Sequence, residues 1–245
     1  MSAPVHSTTT SHMAKPAKGI TLYGYFRSST SFRVRIALAL KGIAYEYKPV
    51  NLLIGEHKEA AYRAIHPQGL VPALVHNGQV VTQSMAIMEY LDDIAPDPLL
   101  VTGTAAQKAR IRAMAQIIAC DIHPMNNLNV WKAYVGGVLK ATDDQLKDWY
   151  MHWIHQGLAS YELMVSDGGE GLYSCGNQVS MADLCLLPQL YNARRFDVPL
   201  ERFPRILQVE KNMLKLAAVQ QALPERQMDA PRDLKPVYDA AFMAA

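Results

Sequence analysis

The hydrophobic rhythm of this chain changes once, at Ala95-Pro96-Asp97-Pro98, and that single change limits what it can fold into. Upstream, β-rich and helical runs alternate. Ile20 to Phe26 reads as a strand. The hydroxyl-rich Arg27-Ser28-Ser29-Thr30 interrupts it, and apolar residues at 32, 36, 39 and 40 then keep a helical period as far as Gly42. Tyr45 to Val50 returns to a strand pattern, and Ala60 to Ile65 predicts a short helix stopped before Pro67. Val71 to Val75 and Gln79 to Val81 flank Asn77-Gly78, a strong two-residue hairpin signal. Ser84 to Leu91 resumes a helix. The order β-α-β-α-β-β-α over residues 19–95 predicts a compact α/β domain with a mixed sheet, and residues 96–103 read as a linker.

Downstream, residues 104–225 carry only helical patterns. Ile111, Met114, Ile118, Ile122 and Met125 line one face of a long helix that Pro124 should kink. Leu146, Trp149, Trp153, Tyr161 and Met164 fit one face of a second, so the tryptophans and Tyr161 are expected in the core. Ser180-Met181-Ala182-Asp183 is a capping-box start to a third, and Pro204 to Leu216 supplies a fourth. Residues 1–18 read as a tail outside the fold, because the hydroxyl run Ser7–Ser11 is followed by no apolar stretch. Residues 226–245, with Pro231 and Pro236, read as an irregular C-terminal tail. Both signs of charge are spread along the chain for a net +2, without a basic block, so nucleic acid is not an expected partner. The three cysteines (Cys120, Cys175, Cys185) lack C-x-x-C spacing and form no zinc-like cluster with histidine. No metal site is expected, and the sparse thiols fit a reducing cytoplasm. No apolar run approaches the roughly 20 residues that span a bilayer.

The stretch Tyr25-Phe26-Arg27-Ser28-Ser29-Thr30-Ser31-Phe32-Arg33-Val34-Arg35-Ile36-Ala37-Leu38 resembles the signature of zeta-class glutathione transferases, whose usual form has Cys where Thr30 stands. Pro67-Gln68-Gly69-Leu70-Val71-Pro72-Ala73-Leu74, Gln83 to Leu91, Asp121 to Asn127, Met181 to Gln189 and Asn192 to Phe196 continue the resemblance in register over roughly residues 20–225. Motifs matched in order are far more specific than any one alone. The resemblance implies a thioredoxin-like glutathione-binding domain followed by an all-helical substrate domain. It also implies a homodimer and a glutathione-dependent cis-trans isomerase of maleylacetoacetate. Maleylpyruvate isomerase or general transferase activity is the alternative, and a non-catalytic glutathione-fold binding module is the reading of a different class.

Each implied site residue has a chemical reason and a plainer reading beside it. A glutathione enzyme must hold a thiolate near neutral pH, and a hydroxyl at a helix N-terminus favours that anion. Ser28 and Ser29 stand where such a donor belongs, and either could merely cap the helix; the family assigns them the activating role, with Ser29 the first choice. The resemblance extends cofactor contact through Thr30, Ser31, Phe32 and Arg33. Thr30 in place of Cys removes any protein thiol from this position. Val71-Pro72 is a candidate cis peptide that would pair with an extended peptide, the alternative being a trans proline opening an edge strand. Gln83-Ser84 opens a helix whose free N–H groups suit a carboxylate, or simply cap it. His57, Asn127 and Lys132 match cofactor- or pocket-facing positions, although a loop His is commonly just solvated. Substrate with two carboxylates calls for Arg, which grips them bidentately. Arg195, with Arg27 and Arg194 behind it, is expected to supply this charge, although these arginines could instead form interdomain salt bridges. His123, ahead of Pro124, is either a substrate contact or structural. Ser180 and Asp183 are assigned to stability.

Overall fold

Residues 19–239 and residue 242 are described in the computed structural model of the protein; the expected tail over 1–18 lies outside them. Strand β1 (Ile20–Gly24) is parallel to β2 (Glu46–Pro49) on one side and antiparallel to β3 (Ala73–His76) on the other. β4 (Gln79–Thr82) closes the sheet in the order β2-β1-β3-β4. The β3–β4 connection is the expected two-residue turn: His76 pairs with Gln79, while Asn77 (φ 51°) and Gly78 (φ 81°) occupy the left-handed region that this turn needs.

Helix α1 (Ser29–Leu40) connects β1 to β2, and nine of its twelve residues are buried. It packs against α3 (Ser84–Ile94), α6 (Met181–Arg195) and α8 (Ala217–Ala222), with the short α2 (Ala60–Arg63) ahead of β3. Burying a Phe, Ile or Leu side chain stabilises by about 1.5–3 kcal/mol, and Phe32, Val34, Ile36 and Leu38 are all essentially inaccessible. The linker is tied down: Lys41 Nζ bonds Asp92 at 2.8 Å and also donates to the carbonyls of Ala95 and Pro98. The Asp92 carboxylate accepts in turn from the N–H groups of Leu100 and Val101.

Thr104 caps α4 (Ala105–Gln116) through a capping box. The helix does not run on to a kink at Pro124 as expected. It widens into π-helical turns over Ile117–Ile122, with His123 N bonding Ile118 O at 2.9 Å, then turns and resumes as a second π-helical stretch, Asn129–Val138. Gly157 on α5 (Asp143–Asp167) permits this close approach, since a Cβ there would collide with Ile122. The buried stripe of α5 runs through Leu146, Tyr150, Ile154, Leu158, Tyr161 and Val165. That corrects the expected face: Trp149, Trp153 and Met164 lie at its half-buried edge, because aromatic and long residues can flank a stripe as well as centre it.

Helix α6 is buried almost all round, which is why its sequence lacks a clean polar face. Its capping box is formed: Asp183 accepts from the backbone N–H groups of Ser174 and Ser180 and from the Ser180 hydroxyl, each at 2.8 Å. Helix α7 (Pro204–Leu214) leads into α8. Beyond Arg226 the described backbone is irregular and fastened. Asp229 bonds Phe26 and Tyr47, and the buried Tyr238 donates to Glu210 at 2.7 Å. Replacing Asp183 by Ala strands three buried donors; we expect a loss of about 3 kcal/mol and roughly 10 °C in Tm by calorimetry, with the site's ligand contacts intact.

Candidate active site

A cavity of about 600 Å³ lies between the α/β domain and the helices. One wall is built by the β1–α1 loop and the ends of α1, β3 and α3; the other by the widened segment after α4, together with α5 and α6. The cavity is lined by Arg27, Ser28, Ser29, Thr30, Arg33, His57, Val71, Pro72, Gln83, Ser84, His123, Asn127 and Arg195, all expected from sequence.

The two serines are not equivalent. Ser28 is the N-cap of α1: its hydroxyl accepts from Ser31 N at 3.2 Å and shares a hydrogen bond with Thr30 Oγ1 at 2.8 Å. Ser29 is the first helical residue, its Oγ 3.4 Å from His123 Nδ1 and otherwise available to the cavity. Thr30 spans the wall, donating to the Val71 carbonyl at 2.9 Å. Val71-Pro72 is cis, as is Asp97-Pro98, which the sequence did not single out.

The carboxylate-accepting end is equally defined. Gln83 is held at φ 69°, a costly conformation for a side-chain-bearing residue, and it turns the start of α3 into the cavity. Arg33 Nη1 donates to Ser84 Oγ at 3.2 Å, which leaves the Ser84 hydroxyl hydrogen free for an anion. Arg33 is 1% exposed, and its Nε and Nη2 have no hydrogen-bond partner among the described residues. A buried guanidinium so poorly compensated is costly, and an anion at the adjoining helix ends would offset it.

Four expected residues fall outside the cavity. Phe32 is core, 1% exposed, and Ser31 is buried with its Oγ accepting from Tyr25 N, because both point from α1 into the interior. Lys132 is solvent-exposed, its Nζ lying over the Trp131 ring at 4.4 Å. Arg194 is committed to Glu210, with Nε–Oε1 at 2.8 Å and Nη2–Oε2 at 2.5 Å, a bidentate pair between α6 and α7. Its charge is therefore structural, in a salt bridge within the helical domain and not between the domains.

Arg195, one residue on, faces the cavity. Its Nη1 donates to Asn192 Oδ1 at 3.2 Å, and burial followed by repulsion from Arg27 lowers its pKa. Two guanidinium groups thus share one end of the cavity, neither with a carboxylate partner among the described residues. Burial and then the Arg33 charge push the His123 imidazolium down to about 3, so this ring is neutral near pH 7.

Sequence reasoning missed Tyr25, Asn126, Trp131, Tyr150 and Gln189, which also line the cavity. Gln189 carried a signal, a polar residue within the apolar run of α6; Trp131 read as core, and Tyr150 was not placed on the expected face of its helix. Cys120 lines the wall as well, whereas Cys175 and Cys185 have thiols pushed up to about 11 by burial.

Residues 18–93 match the glutathione S-transferase N-terminal domain family. The maleylacetoacetate isomerase of Pseudomonas aeruginosa is 43% identical over 216 residues, covering 86% of this chain and 98% of that one. The chain belongs to the zeta-class glutathione transferases. A solved holo maleylpyruvate isomerase of this class superposes with a TM-score of 0.84 at 41% identity, covering 86% of this chain and all of the other. The maleylacetoacetate isomerase of Methylobacterium extorquens AM1, solved with bound malonate and glutathione, gives 0.82 at 35% identity, over 86% and 99% of the two chains. Glutathione fits this zeta-class cavity on its own geometry: two helix N-termini, an uncompensated buried Arg33 and a strand opening at Val71. The Val71 carbonyl is already engaged by Thr30, so its N–H is the better placed backbone partner.

Because the His123 pKa is depressed in the folded state, unfolded chains take up the extra proton as pH falls below the ordinary value of 6.5. His123 therefore costs stability progressively between pH 6.5 and about 3, and none above that window. Chemical denaturation of a His123→Gln variant should show a flatter loss of stability over the acid limb, with unchanged stability dependence from pH 7 to 8.

Proposed function

We propose that this enzyme isomerises maleylacetoacetate to fumarylacetoacetate with glutathione as cofactor, as in aromatic amino-acid breakdown. The observation that carries the reading is the cavity's division into two ends. At one end Ser29 and Ser84, at the mouths of α1 and α3, offer hydroxyls and helix N-termini to a thiolate and a carboxylate. At the other, Arg27 and Arg195 concentrate positive charge without a carboxylate partner among the described residues, which suits a substrate carrying two carboxylates. When bound, glutathione supplies a thiolate that adds reversibly to the activated cis double bond, so that the bond can rotate before the thiolate leaves.

The protein's part is to hold, orient and neutralise. Ser29 donates a hydrogen bond from its hydroxyl to the sulfur and so favours its ionised form. His123, neutral, bonds the Ser29 oxygen on its other side and aims the hydroxyl. Gln83, Ser84, Asn127, His57 and the Val71 N–H hold the peptide body of glutathione. Arg195 and Arg27 take the substrate carboxylates and the negative charge that grows towards them during addition. Maleylpyruvate, a shorter diacid, satisfies the same two charges; an assay of both substrates with and without glutathione decides between them. Activity that survives complete removal of glutathione would exclude this mechanism. A homodimer of cytoplasmic location belongs to the same reading through the family resemblance, and light scattering should give twice the chain mass.

Ser29→Ala removes one charge-assisted hydrogen bond of roughly 1.5–3 kcal/mol, so kcat should fall by about ten- to hundredfold. The bound thiol should then titrate at higher pH, as read by ultraviolet absorbance. Arg195→Ala should raise KM for the diacid by tenfold or more (~1.4 kcal/mol for each factor of ten) with thiol titration little changed. Equal effects of the two variants on the thiol would refute the division of roles.

A further inference from the structure

Phe26 lies immediately before the Arg27-Ser28-Ser29 run, and its backbone is gripped on both sides. Its carbonyl accepts from Arg35 Nη2 at 2.9 Å, and its N–H donates to Asp229 Oδ2 at 2.9 Å. The same carboxylate oxygen accepts from the Tyr47 hydroxyl at 3.2 Å. Arg35, 1% exposed, also donates to Ala222 O at 3.0 Å, just upstream of the segment that carries Asp229. A buried cation from α1 and a carboxylate from 203 residues further along the chain thus hold one residue's backbone between them. Phe26 is 3% exposed, so without Asp229 its N–H would be a buried donor with no acceptor.

The residue after this clamp is Arg27. Its guanidinium lies 5.4 Å over the Phe26 ring and reaches the cavity near Arg195, and the loop is closed by Ser28 N donating to Tyr25 O at 3.0 Å. Ser29 is held separately, by the helical frame of α1. The direction from which Arg27 enters the cavity therefore depends on where the Phe26 backbone is fixed. Asp229 does not line the cavity.

We propose that Asp229, in the irregular C-terminal segment, is a positioning residue for the dianion end of the site: through the Phe26 N–H it sets the spacing of Arg27 from Arg195. The inference rests on the functional reading above, in which that end receives the substrate carboxylates.

Full-length Asp229→Ala and Asp229→Asn test it against the wild type, with malonate as the probe dianion on the glutathione-loaded protein. Calorimetry gives malonate affinity, and ultraviolet titration of bound glutathione reports the thiol end. Asp229→Ala should weaken malonate by about tenfold and raise substrate KM similarly, as expected for a lost hydrogen bond to a charged group, while thiol titration stays put. Asp229→Asn should recover most of the loss, because its amide oxygen still accepts from Phe26 N–H. Variants that melt earlier but bind malonate as the wild type does would overturn the proposal. So would a thiol titration displaced as far as malonate affinity falls, since the contact would then serve the whole loop. If Asp229→Ala does not fold, Asp229→Glu makes the same distinction, because its oxygen sits one methylene further out: weakened malonate supports the proposal and unchanged affinity overturns it. A wild-type protein that binds neither glutathione nor malonate would overturn the functional reading and this inference together, whereas a loss confined to the Asp229 variants leaves that reading standing.

Discussion

Helix α1 has almost no solvent face, and everything about the site follows from that burial. Between Ser31 and Leu38 it is enclosed by α3, α6 and α8, yet it carries two arginines at 1% exposure. Removing a guanidinium from water is expensive unless its N–H groups are satisfied. The chain meets that cost differently for each. Arg35 is spent on structure, donating to the carbonyls of Tyr25, Phe26 and Ala222. Arg33, two residues earlier and so on another side of the helix, bonds Ser84 and has two nitrogens without a partner among the described residues. One arginine ties the domains together, and the other leaves positive charge beside the cavity.

The same economy separates Arg194 from Arg195. Consecutive residues on a helix point about 100° apart, so one end of α6 can send Arg194 to Glu210 and Arg195 to the cavity. Neighbouring aromatic rings cover both: Arg194 stacks over Phe242 at 4.5 Å and Arg195 over Phe196 at 5.1 Å. The Phe196 ring lies beneath Arg195, whose charge meets no carboxylate among the described residues. Arg27 adds a second unneutralised charge from the other domain, so the cavity has its full electrostatic character only when the domains are packed. The Lys41–Asp92 pair under the linker holds that packing at its hinge-like connection.

Element order and type were legible because they are local. The Asn77-Gly78 turn, the Ser180–Asp183 box and the change of rhythm at Pro96 are each set by a few adjacent residues, and each formed as the pattern required. Family motifs carried the reading further, to the serine pair, Val71-Pro72 and Gln83-Ser84. What they could not do was distinguish the members of a pair. Ser28 and Ser29 differ only in which is the cap, and Phe32 and Arg33 only in which side of α1 faces α3.

Period and turn chemistry along the chain thus determined the two domains and their elements, and the resemblance carried by the motifs implied the class of ligand. Tertiary packing alone decided that the helix after Gln116 widens into π-helical turns to bring His123 to Ser29, and that Tyr150 and Gln189 line the cavity. It also decided that Asp229, in a stretch without any periodic signal, ends beside Phe26. The physical reason is range. Hydrophobic rhythm and capping act over a turn or two of chain, whereas a buried hydrogen bond acts only between groups that folding has already made neighbours.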